Sequence, residues 1–201
     1  MKLLNLKAIP IAHDKNVYYL NKKELDVIKK IEYRQPEPGF HLSKSISLLE
    51  HKPLASLKKS IIKKANEYTR NILEIKDDIY MTQSWSTINI TNAFHKLHTH
   101  ANTFISIVYY AQCEAGHIGF DLGTTSIREC FNFDYTVNKF NIYNSETWEL
   151  VVRTGDIVLF PGHIRHQSTP NKAKQDRIIV GANFFIRGTL GSKGRVSLMT
   201  I

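Results

Sequence analysis

The chain has 201 residues, 42% of them hydrophobic, with 27 Lys and Arg against 18 Asp and Glu for a net charge of +9. This length suits one packed core over residues 1–201, the composition excludes disorder, and no apolar run approaches the ~18 residues a membrane span needs. The positive charge leaves a nucleic-acid partner open, though a basic balance alone is a weak criterion.

The opening residues, MKLLNLKAIPIAHDKN, start with a Lys and an apolar stretch. Lys7 interrupts that stretch and no small-residue cleavage site follows, so no signal peptide is expected. Cys113 and Cys130 lack CxxC spacing and read as free thiols in a reducing compartment, which places the protein in the cytoplasm. Residues 3–19 alternate enough for one or two short strands. Asn21 suits the cap of a helix running through Glu32, with Leu25, Ile28 and Ile31 on one side. Residues 34–39, RQPEPG, read as a loop. Pro53 fits the first turn of a second helix. Leu54, Leu57, Ile61, Ile62, Ala65, Tyr68, Ile72 and Leu73 then form an apolar stripe at helical period, and lysine doublets line the opposite, solvated face.

After Asp77 and Asp78 the texture changes. Residues 80–91, YMTQSWSTINIT, have strand composition. Further short β-like stretches follow at 103–111, 116–122, 148–153, 156–160 and 177–186, separated by Gly, Asn, Asp or Pro. Helices first and many short strands after predict a mostly β protein, a sandwich or barrel, with a helical support region at 1–78 and a β core at 79–190. Residues 127–145 read as a long insert, and such inserts often act as lids.

The chemistry gathers in residues 94–111, FHKLHTHANTFISIVYYA. His98 and His100 stand two apart, and on a strand they would share a face. Ser106 and Tyr110 have the same parity, unless Asn102 makes a turn; Tyr109 would then be core. A second segment, GDIVLFPGHIRH at 155–166, ends on His166, with His163 as a competitor. His95 competes with His98 against parity. Eleven residues on, Arg177 opens the apolar strand RIIVGANFF. An unpaired buried guanidinium is costly, so it needs an acid. Asp156 and Asp176 are protein candidates, and a ligand carboxylate is the other. His13, His41, His51 and His117 read as solvent or loop residues, and Cys113 as a small core residue.

HTHAN with ISIVYY, then GDIVLFPGHIRHQSTP, then DRIIVGANF, resemble the Fe(II)- and 2-oxoglutarate-dependent oxygenases over residues 80–187. They most resemble a small branch with a His-x-His pair and a distal His. The resemblance implies a double-stranded β-helix, a cupin-like jelly roll buttressed by N-terminal helices. It implies His98, His100 and His166 as metal ligands, with His100 standing where Asp or Glu is usual. It implies Arg177 as the residue for the far carboxylate of 2-oxoglutarate, with Tyr110 and Ser106 assisting, and Asn183 near the metal-bound end of the co-substrate or the substrate. Asn89, Trp85 and Asn102 would line the substrate pocket. The implied cofactors are Fe(II) and 2-oxoglutarate, with ascorbate as an activator, and the implied reaction hydroxylates an unactivated C–H bond. The Tyr-Tyr strand is shared with prolyl hydroxylases, which favours a peptide or protein residue over a small molecule or a nucleic acid. A metal-binding module without oxygenase activity is the rival reading. The oligomeric state stays open, a homodimer included.

Overall fold

The computed structural model describes residues 2, 8–121 and 135–201. Part of the expected 3–19 strand region and of the 127–145 insert, and Cys130, lie outside them. Among the described residues of the first region, β1 (Ala12–Asp14) is the strand that forms. The first helix, α1 (Lys22–Lys30), begins with a reciprocal cap. Asn21 accepts from the Glu24 backbone N–H at 3.0 Å, and Glu24 accepts from the Asn21 N–H at 2.8 Å. The helix stops short of Glu32 because Ile31 is already extended and the chain runs into β2 (Tyr33–Glu37).

Here one expectation is corrected. RQPEPG is not a loop but most of a hairpin, β2 pairing antiparallel with β3 (Phe40–Ser43). Gly39 turns the chain at φ +74. The prolines are tolerated because β2 lies at the sheet edge, where Pro36 deprives no inner neighbour of a ladder bond.

The second helix, α2 (Ala55–Glu67), follows a short turn that places Pro53 at its start. Leu54, Leu57, Ile61, Ala65 and Tyr68 are buried as the stripe predicts, but Ile72 is 53% exposed. The helix widens into a π turn at Tyr68–Ile72, which adds a residue and rotates the stripe's end out of line.

The remaining strands are β4 (Asp78–Asn89), β5 (Ile105–Gln112), β6 (Gly116–Asp121), β7 (Thr147–Val152), β8 (Ile157–Pro161), β9 (Arg165–Ser168) and β10 (Arg177–Arg187). A C-terminal pair, β11 (Thr189–Leu190) and β12 (Met199–Thr200), stands apart from them. The large sheet runs β1-β8-β5-β10-β4-β3-β2, and a three-stranded sheet runs β7-β6-β9. Every pairing between the strands of these two sheets is antiparallel.

The two-residue period of the strands separates two cores. Ile105, Ile107, Tyr109, Ile157, Leu159, Ile178, Val180 and Ala182 face the helices and pack with Leu57, Ile61 and Ala65. Their alternates Val108, Tyr110, Val158 and Phe160 face the small sheet and pack with Ile118, Phe120 and Val152. Two sheets closed over an inner core, with helices on the outer face of the larger one, make the expected jelly roll. No helix among the described residues is long and apolar enough to cross a membrane.

Candidate metal centre

The inner face of the large sheet is where polar side chains intrude on the core. Trp85, Thr87 and Asn89 of β4, Tyr110 of β5, His166 and Ser168 of β9 and Arg177 of β10 line one pocket, together with His95, His98 and His100. The His98–His100 stretch is not a strand, as the His-x-His spacing suggested. It is a loop pinned to β9 and to the connection before it. His98 and His166 exchange both backbone bonds, at 3.0 and 2.9 Å, and the His100 N–H donates to the Gly162 carbonyl at 3.0 Å. Gly162 permits this approach, since a Cβ there would lie 2.5 Å from the Thr103 oxygen. Asn102 sits exposed in the following turn at φ +52 and does not line the pocket.

One ring nitrogen from each of His98, His100 and His166 lies within 4.8 Å of the others. The Nε2 atoms of His98 and His100 are 3.2 Å apart. The opposite nitrogens are tied to oxygens. His98 Nδ1 reaches the Lys96 carbonyl at 2.8 Å, His166 Nδ1 the Ile164 carbonyl at 3.0 Å, and His100 Nδ1 the Asn183 Oδ1 at 2.8 Å and the Ser106 hydroxyl. Carbonyl oxygens only accept, so the proton sits on Nδ1 and the Nε2 lone pairs are left for the cluster. Burial, the largest cause, lowers all three imidazoles, His100 to about 4 and His166 to about 3. Three neutral nitrogen donors suit Fe(II), and equally zinc, nickel or copper.

His95 is the neighbour that parity set aside. It lines the pocket and, like His166, is lowered to about 3 by burial, but it stands outside the three-nitrogen cluster. Its ring is stacked between Phe40 at 4.4 Å and His98 at 3.9 Å. His163 is exposed in the turn before β9.

These depressed values set a sign. In the unfolded chain a histidine titrates near 6.5, so the unfolded state takes up protons first as pH falls. The metal-free protein is expected to hold full stability above pH 6.5. It should lose roughly 1.4 kcal/mol per pH unit for each histidine that stays neutral, down to about pH 4. Denaturant unfolding of chelator-treated protein at pH 7.5, 5.5 and 4.5 measures this. Unchanged stability would show that the three rings are solvated.

Ser106 corrects a second expectation. Ser106 does not assist Arg177. It donates to Asn183 Oδ1 at 2.9 Å, and the two are direct cross-strand partners at His100. Asn183 in turn donates to Gln83 Oε1 at 3.3 Å. Six residues of strand, roughly 20 Å, separate Asn183 from Arg177. Asn183 stands at the metal end of the pocket, as expected, and holds the His100 ring there. Asn183→Ala is expected to weaken metal affinity about 10- to 100-fold, the usual effect of losing a ligand's outer partner, with the fold retained. Metal titration against a competing chelator reads it.

At the pocket's other end lies Arg177, 2% exposed. Its Nη2 donates to Ser168 Oγ at 3.0 Å and to the Thr169 carbonyl at 2.7 Å, while Nη1 has no partner. Asp156 does not neutralise it. That carboxylate is taken by His13 Nε2 at 3.1 Å and by the N–H groups of Asn16 and Arg153. His13 is thus a paired strand residue, not a solvent one. Asp176 meets Arg177's neighbourhood only through its backbone oxygen, bonded to Gln112. Tyr110 lies beside Arg177, fully buried, and burial raises its hydroxyl so that it stays a donor. Trp85 closes a wall between the two ends. Its ring covers Gly181, where a Cβ would meet it at 2.4 Å, and it packs edge-to-face with the His100 ring, centroids 5.3 Å apart. Cys113 is a buried free thiol in the inner core, as expected.

Comparison with known proteins agrees with this geometry. Residues 83–183 match a family model described as "Putative 2OG-Fe(II) oxygenase". No curated protein matches the chain. Among solved structures, the chain is similar to HygX from Streptomyces hygroscopicus with nickel and 2-oxoglutarate bound. The TM-score is 0.59 at 10% identity, covering 88% of this chain and 82% of that one. It is similar to the non-heme alpha ketoglutarate dependent epimerase SnoN from nogalamycin biosynthesis, with a TM-score of 0.62 at 13% identity, covering 92% and 80%. It is also similar to a Pseudomonas putida prolyl-4-hydroxylase, with a TM-score of 0.55 at 11% identity, covering 89% and 94%. At such identities the likeness speaks for the jelly roll alone, while the family match spans the histidine loop and every pocket residue from Trp85 to Arg177. This chain belongs to the Fe(II)- and 2-oxoglutarate-dependent oxygenases.

Proposed function

We propose that His98, His100 and His166 hold Fe(II), that Arg177 with Tyr110 holds the far carboxylate of 2-oxoglutarate, and that the enzyme hydroxylates an unactivated C–H bond of a peptide or protein side chain. One observation carries the reading: three imidazole nitrogens and a buried guanidinium without an acid share one pocket. Bound there, Fe(II) and 2-oxoglutarate supply with dioxygen the oxidising power that no side chain has. The protein's part is placement. The imidazoles fix one end of the keto acid's position, the planar fork of Arg177 fixes the other, and Trp85 and Tyr110 keep water from the space between.

A metal-binding roll without oxygenase chemistry would have no use for a buried cation at Arg177. A nucleic-acid substrate is not favoured by the charge, because the lysine doublets 22–23, 29–30, 58–59 and 63–64 lie on α1 and α2, which cover the opposite face of the large sheet. A peptide is supported by the loop that leads from β4 into the site. It leaves Ile90, Phe94 and Leu97 partly exposed beside His95 and His98, apolar surface suited to a side chain and its neighbours. The test is succinate release from 2-oxoglutarate by Fe(II)-loaded protein with ascorbate, alone and with proline-containing peptides. Turnover that peptides stimulate is expected. Stimulation only by small hydroxylated metabolites would overturn the substrate class, and no succinate under any condition would overturn the reaction.

A further inference from the structure

Only two buried side-chain atoms among the described residues lack a hydrogen-bond partner, Arg177 Nη1 and Asn89 Nδ2. They are not scattered. Arg177 and Asn89 are direct cross-strand partners of β10 and β4, and both side chains face the same pocket. Asn89 is 2% exposed, so no bulk water reaches its amide. A buried donor left without an acceptor costs about 1–3 kcal/mol, and two of them on paired residues of one pocket call for an acceptor. One is a guanidinium N–H and the other an amide N–H, and both seek an oxygen. A carboxylate has two oxygens and accepts from two donors at once.

We propose that Asn89 is a co-substrate-binding residue: its Nδ2 and Arg177 Nη1 form a paired donor cradle, one for each oxygen of a single carboxylate at the closed end of the pocket. This rests on the reading that Arg177 binds the far carboxylate of the keto acid, and extends it to the strand opposite. The cradle makes a diacid the preferred co-substrate. A keto acid ending in a methyl group would leave both donors orphaned, whereas a diacid satisfies both. Asn suits the position better than a second cation. It adds a donor beside Arg177 without adding charge repulsion in a buried place.

Nickel-loaded protein allows binding to be read without turnover. Calorimetric titration with 2-oxoglutarate is compared with titration by 2-oxobutyrate, which keeps the keto-acid end and lacks the far carboxylate. Asn89→Ala is expected to weaken 2-oxoglutarate roughly 10- to 100-fold and to leave 2-oxobutyrate and nickel affinity unchanged. Asn89→Asp, which sets a carboxylate against Arg177, is expected to weaken 2-oxoglutarate further still. Asn89→Ser, smaller but polar, serves if Ala folds poorly and should fall between wild type and Ala. Equal losses for both keto acids, or none for 2-oxoglutarate, would overturn the cradle while leaving Arg177's role intact. If the wild-type protein failed to discriminate between the two acids at all, the reading of Arg177 itself would fall, and the cradle with it.

Discussion

His166→Ala is expected to lose tight binding of divalent metal, by well over 100-fold, while the protein still folds. The magnitude follows from comparison. Removing an outer partner of a metal ligand already costs about 10- to 100-fold, and removing the ligand costs more. His166 is the most consequential of the three rings because its position is the least adjustable. It is 4% exposed, it packs against Phe160 at 4.5 Å, and its backbone makes the two bonds that dock the His98 loop. Those backbone bonds persist in the alanine variant, so His98 and His100 remain in place with two nitrogens where three were. The measurement is the nickel-induced rise in melting temperature, present in the wild type and absent in the variant. A variant that kept the full rise would show that the ion sits elsewhere. His100→Asp is the informative companion. It restores the carboxylate usual at this position, and it should keep iron binding even though it gives up the bonds to Asn183 and Ser106.

Much of this arrangement was legible in the sequence, and the failures have common causes. The helices were readable because capping and apolar period are local. Asn21 and Glu24 sit three apart, and the stripe from Leu54 to Tyr68 keeps its period until the π turn. The double-faced strands were readable because β5 and β8 are buried on both sides and so read as apolar runs. The RQPEPG hairpin was hidden because proline normally argues against a strand, and only the sheet order reveals that β2 is an edge. His98 and His100 do come together, though not by the parity of a strand. Parity places both rings on one face of a strand, whereas a loop bonded to β9 and to the connection before it brings them together. Parity then put Ser106 with Arg177, although four residues of strand divide it from Tyr110. What sequence could not supply was distance along the strand, which separates the His100 end of the pocket from the Arg177 end. Nor could it reveal which buried groups lack partners. In the sequence Asn89 is one of three pocket-wall candidates, and its orphaned amide is visible only in the fold.

Replacing Arg177 by Met is expected to move binding and stability in opposite directions. For 2-oxoglutarate the loss should be large, on the order of 1000-fold. Removing one member of a buried, hydrogen-bonded charge pair costs about 3–5 kcal/mol, because the carboxylate is left desolvated and unpaired. Metal affinity should be unchanged, since none of the three imidazoles bonds to Arg177. For the ligand-free protein the sign reverses. There Arg177 is a desolvated cation with one orphaned nitrogen and no acid, and burial already lowers its hold on the proton. A methionine of similar length removes the orphan and the charge and adds apolar contact with Cys113, Ile118 and Ile179. Against this stand the two bonds from Nη2 to Ser168 and Thr169, of which Ser168 Oγ keeps the His95 N–H as donor. The balance favours the variant by about 1 kcal/mol, or about 2–4 °C in melting temperature for a chain of this size. Adding 2-oxoglutarate to the nickel-loaded proteins should then invert the order, raising the wild type above the variant. That crossing distinguishes a cation held in readiness for a diacid from one that serves the fold. If Arg177→Met melted lower than wild type without ligand and bound 2-oxoglutarate as well, the guanidinium would be a structural element and the keto-acid assignment would fail.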